Sequence, residues 1–236
     1  MGFLFPGRAQ NNQQNQMPSK PFERLLYRLD HAPLDLRVAS QSGRRGHQMQ
    51  QSAADLAQAS TKLTPVLNTI ANNRALALLS RVPLAGRPAR WAKDTSASLA
   101  NLNRDFTRLV EMDRRHLQPL RQAALDGERL RQTRRRTDLP RAVQSFEAAA
   151  RVLQDDENRV YRQRQKLTAL ASSLKQWTPH LEKRLAASPQ KTAAWARFKS
   201  ALQASQKLLD ARLGQLSALR RFAADCAHDG KEAMKS

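Results

Sequence analysis

Between Trp195 and Cys226 the apolar residues recur at steps of three, four or seven: Trp195, Phe198, Leu202, Leu209, Leu216, Leu219, Ala223 and Cys226, with Ser205 in register. That spacing gathers one stripe along a helix of 3.6 residues per turn and cannot alternate across a half-buried strand. The same pattern recurs upstream. Leu56, Ala59, Leu63, Val66 and Ile70 mark a first helix from Gly46 onward, bent at Pro65; Leu99, Leu102, Phe106, Leu109, Leu117, Leu120 and Ala124 mark a second, capped near Ser96 or Ser98 and bent at Pro119. Val143, Phe146, Ala150, Leu153, Val160, Leu167, Leu170, Leu174, Trp177 and Leu181 mark a third, interrupted by the polar pair Glu157 and Arg164, which are expected to face each other or a partner chain. No period-2 run is sustained. The expected fold is all-α: an elongated antiparallel helical bundle or coiled coil of about four long helices.

Breaks divide these helices. Val82 to Pro88 contains two prolines and a glycine, residues 126–140 run from Asp126-Gly127 to Leu139-Pro140, and Ser188-Pro189 precedes the last helix. Residues 1–40 hold Pro6, Pro18, Pro21 and Pro33 and the tract Gln10 to Gln16, which has nothing to bury and is expected to be a flexible N-terminal arm. Phe22, Leu25, Leu26 and Leu29 have helical spacing within it, compatible with a short docking helix over 21–31. The expected organisation is an arm over 1–40 and a helical bundle over 41–236, with a sub-boundary at 126–140.

Charge then narrows the partner. Forty-one Lys and Arg stand against 20 Asp and Glu, a formal charge of +21, divided +8, +6 and +7 over residues 1–103, 104–166 and 167–236. A cationic body of this kind points to an anionic partner along much of its surface. Nucleic acid, DNA before RNA, is expected ahead of an anionic membrane surface, because membrane-binding helices pair charge with a free apolar face and the apolar faces here are committed to the bundle. The densest patch is Arg129, Arg131, Arg134, Arg135, Arg136 and Arg141, suited to phosphate docking. A second candidate treats 87–109 as a helix-turn-helix, with Thr95-Ser96-Ala97 as the turn, Leu76 and Leu79 covering its core, and Asn101, Asn103, Arg104 and Arg108 aimed at base edges. Seams of this kind also suit a homodimer.

Chemistry finds little footing. None of the five histidines has a His partner four residues away, and no GxSxG, Walker or GxGxxG pattern occurs, so no enzyme activity, cofactor or metal is expected. Asp155-Asp156-Glu157 points in several directions around a helix and fits a solvated face. Asp225, Cys226, His228 and Asp229 form the one mixed ligand cluster, but Cys226 continues the apolar seam and Gly230 is expected to end the helix. The single cysteine excludes an intramolecular disulfide, and the opening residues lack the apolar run of a secretion signal; a cytoplasmic location is expected.

Val38-Ala39-Ser40-Gln41-Ser42-Gly43 with Met49 and Leu56 after it, then Leu79-Ser80-Arg81-Val82-Pro83-Leu84-Ala85-Gly86 and a charged helix through Leu117, Leu120 and Leu125, resemble the toxic-anion-resistance (TelA-like, tellurite-resistance) family of bacteria. The resemblance spans residues 37–125. It implies an all-α protein tied to envelope or oxidative stress, with no site residue to carry over. The function expected from all of this is a non-catalytic basic helical protein that binds DNA in a stress-tolerance role. Its rivals are a resistance-type scaffold at a membrane or with protein partners, and a structural component of a nucleoprotein or virion assembly.

Overall fold

A computed structural model of the chain describes residues 17–31, 43–71, 87–186 and 188–236. They are all-α: no strand occurs among the described residues. The helices are α1 (Pro21–His31), α2 (Gly43–Ala71), α3 (Arg87–Arg115), α4 (Leu117–Thr133), α5 (Leu139–Leu185) and α6 (Pro189–Lys235), with a 3-10 turn at Arg136–Asp138 before α5. The Gln/Asn tract, Leu76, Leu79, Val38 to Ser42 and residues 79–86 of the family-like segment lie outside the described residues.

The spine is a hairpin of α5 and α6, each 47 residues long and so about 70 Å at 1.5 Å per residue. Its register is antiparallel. Glu147 pairs with Lys231, Glu157 with Arg220 at 2.7 Å, Arg164 with Asp210 and Glu182 with Lys199 at 2.8 Å, so numbers rise on α5 as they fall on α6. Glu157 and Arg164 therefore do not face each other; each finds its counter-charge on α6. Every seam residue read in α6, Ser205 included, is buried. Ser205 accepts or donates one hydrogen bond with Ser52 of α2 at 2.9 Å, which lets a polar group occupy the core without a lost partner.

Helices α2 and α3 pack against each other and flank the half of the hairpin nearest its turn, α2 on α6 and α3 on α5. Helices α1 and α4 cover the other half, α1 on α6 and α4 on α5. The docking helix expected over 21–31 is thus present, with Leu25 and Leu29 buried. It is fastened by charge as well: Arg28 reaches both Asp225 and Asp229 at 2.9 and 2.8 Å, and Arg24 reaches Asp229 at 3.2 Å. Burial opposes the charge on Arg28, but the hydrogen bond to Asp229 and the two nearby carboxylates outweigh it and raise its pKa.

Several sequence expectations are corrected by packing. Residues 87–115 form one uninterrupted helix, and Thr95, expected in a turn, is buried within it. Nothing between Pro88 and Pro119 breaks a helix, and Ala92, Leu99, Leu102 and Phe106 keep one buried face through the supposed turn. The helix-turn-helix reading falls with it, as does a helix start at Ser96 or Ser98. The next break comes at His116, three residues before Pro119, whose ring would collide with the carbonyl of residue 115 in a continuous helix and has no N–H to bond it. Asp126 and Gly127 do not open a loop but lie buried inside α4. A Cβ on Gly127 would meet Phe146 at 2.9 Å, so the missing side chain is what lets α4 approach α5. The break read over 126–140 shrinks to residues 134–138, where Arg134 takes a left-handed cap (φ 51°) with its N–H on the Leu130 carbonyl at 2.9 Å. Gly230 does not end α6, which continues to Lys235.

Acid should loosen the hairpin. Glu147 is held below its ordinary value of 4.5 chiefly by the hydrogen bond from Lys231, and Glu182 by that from Lys199 and then from Trp195. A carboxyl whose folded pKa is depressed stabilises the fold in full above its unfolded value and loses that contribution as pH falls through the folded one. Urea midpoints are expected to hold from about pH 7 to 5 and to decline below about 4.5, modestly because both pairs are at least partly exposed. A midpoint that rises with acid contradicts this account of the hairpin.

Candidate polyanion-binding groove

The six arginines of the densest patch are brought together around the 134–138 turn, but largely by the protein's own carboxylates. Arg129 lies 3.1 Å from Asp138, and Arg141 2.9 Å from Asp126. Arg131 donates twice to Glu128, at 2.7 and 3.0 Å, and sits 3.9 Å from Asp30, which is also 3.3 Å from Arg134. Arg136 lies over the ring of Phe22, 5.6 Å from its centroid. Arg135 is exposed, its backbone N–H directed at the Thr133 hydroxyl at 3.4 Å. These contacts tie α1, α4, the turn and α5 into one corner. Asp126 is the buried member: besides Arg141 it accepts from Gln122 at 2.8 Å and Ser145 at 2.5 Å, so its charge is fully solvated by protein. Six arginines face four carboxylates here, and a residual +2 is a weak focus for a polyanion.

The stronger candidate is a groove between α3 and α5. These two helices run antiparallel: Trp91 donates to Ser173 at 2.9 Å, Gln163 donates to the Leu102 carbonyl at 3.0 Å, and His116 meets Asp156 at 2.6 Å. Toward the His116 end the groove is a narrow cleft lined by Asp105, Arg108, Leu109, Arg159, Arg162, Gln163 and Lys166. Toward the other end it widens into a cavity of about 660 Å³ bordered by Arg90, Trp91, Asp94, Asn101, Lys166 and Trp177 among others. Lys166 lines both parts, so the two adjoin at its side chain.

Helix periodicity explains the convergence. Asn101, Arg104, Asp105 and Arg108 are spaced i, i+3, i+4, i+7 and share one side of α3; Arg159, Arg162 and Lys166 do the same on α5. Lys166 is ion-paired with a groove carboxylate, Asp105. Arg104, Arg108 and Arg162 are exposed, and among the described residues no carboxylate lies within ion-pair reach of them. Asn101, Arg104 and Arg108 are therefore placed together as the sequence suggested, although on the middle of a long helix and not on a recognition helix after a turn. Arg90, Arg159, Arg162 and Lys166 went unnoticed. Their signal was available: basic residues at i, i+3 and i+7 on a helix whose other side carries the seam.

The Asp225, Cys226 and Asp229 cluster has a structural task. Both aspartates hold α1, and Cys226 is buried in the seam, its thiol pKa pushed up first by that burial. A thiol so raised is a poor nucleophile. Among the described residues no group of three or more His, Cys, Asp or Glu is arranged to hold a metal ion, and no helix is long and apolar enough to cross a membrane. No protein-family model, curated protein or solved structure matches the chain.

Proposed function

We propose that this is a non-catalytic nucleic-acid-binding protein, DNA before RNA, which grips the phosphate backbone along the α3/α5 groove. The scaffold in this reading is an elongated antiparallel bundle of coiled-coil type, with α5 and α6 as its rod. The observation that carries the reading is the groove itself: Arg90, Arg108, Arg159, Arg162 and Lys166 line a concave surface that holds two carboxylates, Asp94 and Asp105, with Arg104 exposed beside it. A concave wall with an excess of positive charge, +3 from five cations and two carboxylates, focuses its field on an anion in a way the arginine corner at 129–141 does not. Arginine supplies four of the five lining cations, and its planar fork matches phosphate oxygens in pairs.

The test is the salt dependence of binding. Four to five phosphate contacts release counterions in proportion, so affinity is expected to fall about 100- to 500-fold between ~50 and ~200 mM salt. Fluorescence anisotropy of a labelled oligonucleotide at the two concentrations measures it. Binding that is absent, or that stays constant across that range, removes the proposal.

A further inference from the structure

We infer that the groove accepts single-stranded nucleic acid, with one base entering the cavity beside Trp91 and Trp177 while the adjoining phosphates follow the basic cleft. This rests on the proposed function and narrows it to a substrate form. The cavity of about 660 Å³ falls in the size range of sites that enclose a whole small ligand, about 300–1,000 Å³, and is larger than a backbone phosphate requires. Its wall includes two stacked indoles, ring centroids 5.0 Å apart and planes 21° from parallel. Both rings are only partly buried, whereas Trp195, the remaining tryptophan, is 2% exposed and belongs to the core.

The pair is held firmly. Trp91 is fixed by its hydrogen bond to Ser173, so the aromatic surface is organised before a ligand arrives. Asp94 and Asn101 stand at the same cavity, and a carboxylate and a carboxamide are the groups that pair with amino-bearing base edges. Lys166 joins cavity to cleft, and from Arg159 to Trp177 the helix advances about 27 Å, long enough for a run of several nucleotides. A duplex would have to extrude a base to fill the cavity, at a cost of a few kcal/mol; a single strand has its bases free already. An aromatic wall beside a basic track is the arrangement that binds single strands with little regard for sequence, since every base has a π-face.

The experiment compares a single strand of about 20 nucleotides of mixed sequence with the duplex of the same sequence on the full chain, by anisotropy and tryptophan emission at low salt. The single strand is expected to bind at least about tenfold more tightly and to quench the two groove tryptophans, leaving the buried Trp195 emitting. Ala169→Phe supplies the site test, because Ala169 is exposed on α5 at the cavity and a phenyl there fills space without removing any packing. It is expected to weaken the single strand about tenfold and leave the duplex unchanged. Equal affinity for both forms with the salt dependence intact overturns this inference alone, as does an Ala169→Phe variant that weakens both forms alike or neither. Absence of binding to either form overturns this inference and the proposed function together.

Discussion

Exchanging Arg108 and Arg162 for glutamate in one variant is expected to lower nucleic-acid affinity at least about 100-fold at low salt, and to flatten the dependence on salt by about two contacts. Each substitution removes a charge-assisted hydrogen bond, worth about 1.5–3 kcal/mol before allowance for solvent, and adds repulsion where attraction stood. Because the two residues line the same cleft from opposite helices, the groove as a whole changes sign: three lining cations remain against four carboxylates. The fold should not register the change, since both side chains are exposed and neither has a carboxylate partner among the described residues. An unchanged urea midpoint checks that point. The informative control is Arg134→Glu with Arg135→Glu, in the corner where Asp30, Asp126, Glu128 and Asp138 already offset most of the charge. There the loss should stay below about tenfold. If the corner variant abolishes binding and the groove variant does not, the interface has been placed on the wrong face.

The comparison between corner and groove also shows what a sequence can carry. Periodicity identified the seams because burial obeys the helix repeat one residue at a time: the stripe from Trp195 to Cys226 is buried throughout. Charge density along the chain pointed to residues 129–141, yet density in sequence says nothing of which carboxylates the fold brings alongside. Asp30 comes from α1 and Asp138 from the turn, and only tertiary structure sets them against Arg134 and Arg129. The groove was hidden for the converse reason. Arg108 and Arg162 lie 54 positions apart, and the basic run from Arg159 to Lys166 does not by itself say which helix it will face; the antiparallel register fixed by Gln163 on Leu102 sets the two side by side. Ser96 and Thr95 misled in a third way. Hydroxyl residues favour turns and caps when the backbone is free to choose, and the continuous apolar face through Ala92, Leu99 and Leu102 overrides that preference. Gly230 was mistaken for a helix end on the same local logic, and its actual role is packing.

That role makes Gly230 more tightly enclosed than Gly127 or Gly214. A Cβ built there collides with a methyl of Val143 on α5 and comes within 3.5 Å of Leu139 and of Leu25 on α1, so three helices converge on the absent side chain. Gly214, on the same helix, has nothing within 4 Å of the same construction and is exposed. Gly230→Leu and Gly214→Leu therefore form a matched pair. Both gain the same helix propensity over glycine, roughly 0.8 kcal/mol, and remove the same backbone freedom from the unfolded chain. At 214 the expected result is a stabilisation of that order. At 230 the isobutyl group must push α1 off α6 or part α5 from α6, and overpacking of about 3 kcal/mol or more should leave the variant destabilised by at least about 2 kcal/mol. Detachment of α1 would separate Arg24 and Arg28 from the buried Asp229, leaving that carboxylate without its two counter-charges and adding to the loss. Urea unfolding of the two variants gives the difference directly, with shared propensity terms cancelling. Two variants that move together would mean that α5 and α1 do not close on Gly230 in solution, and the packing at that end of the rod would have to be redrawn.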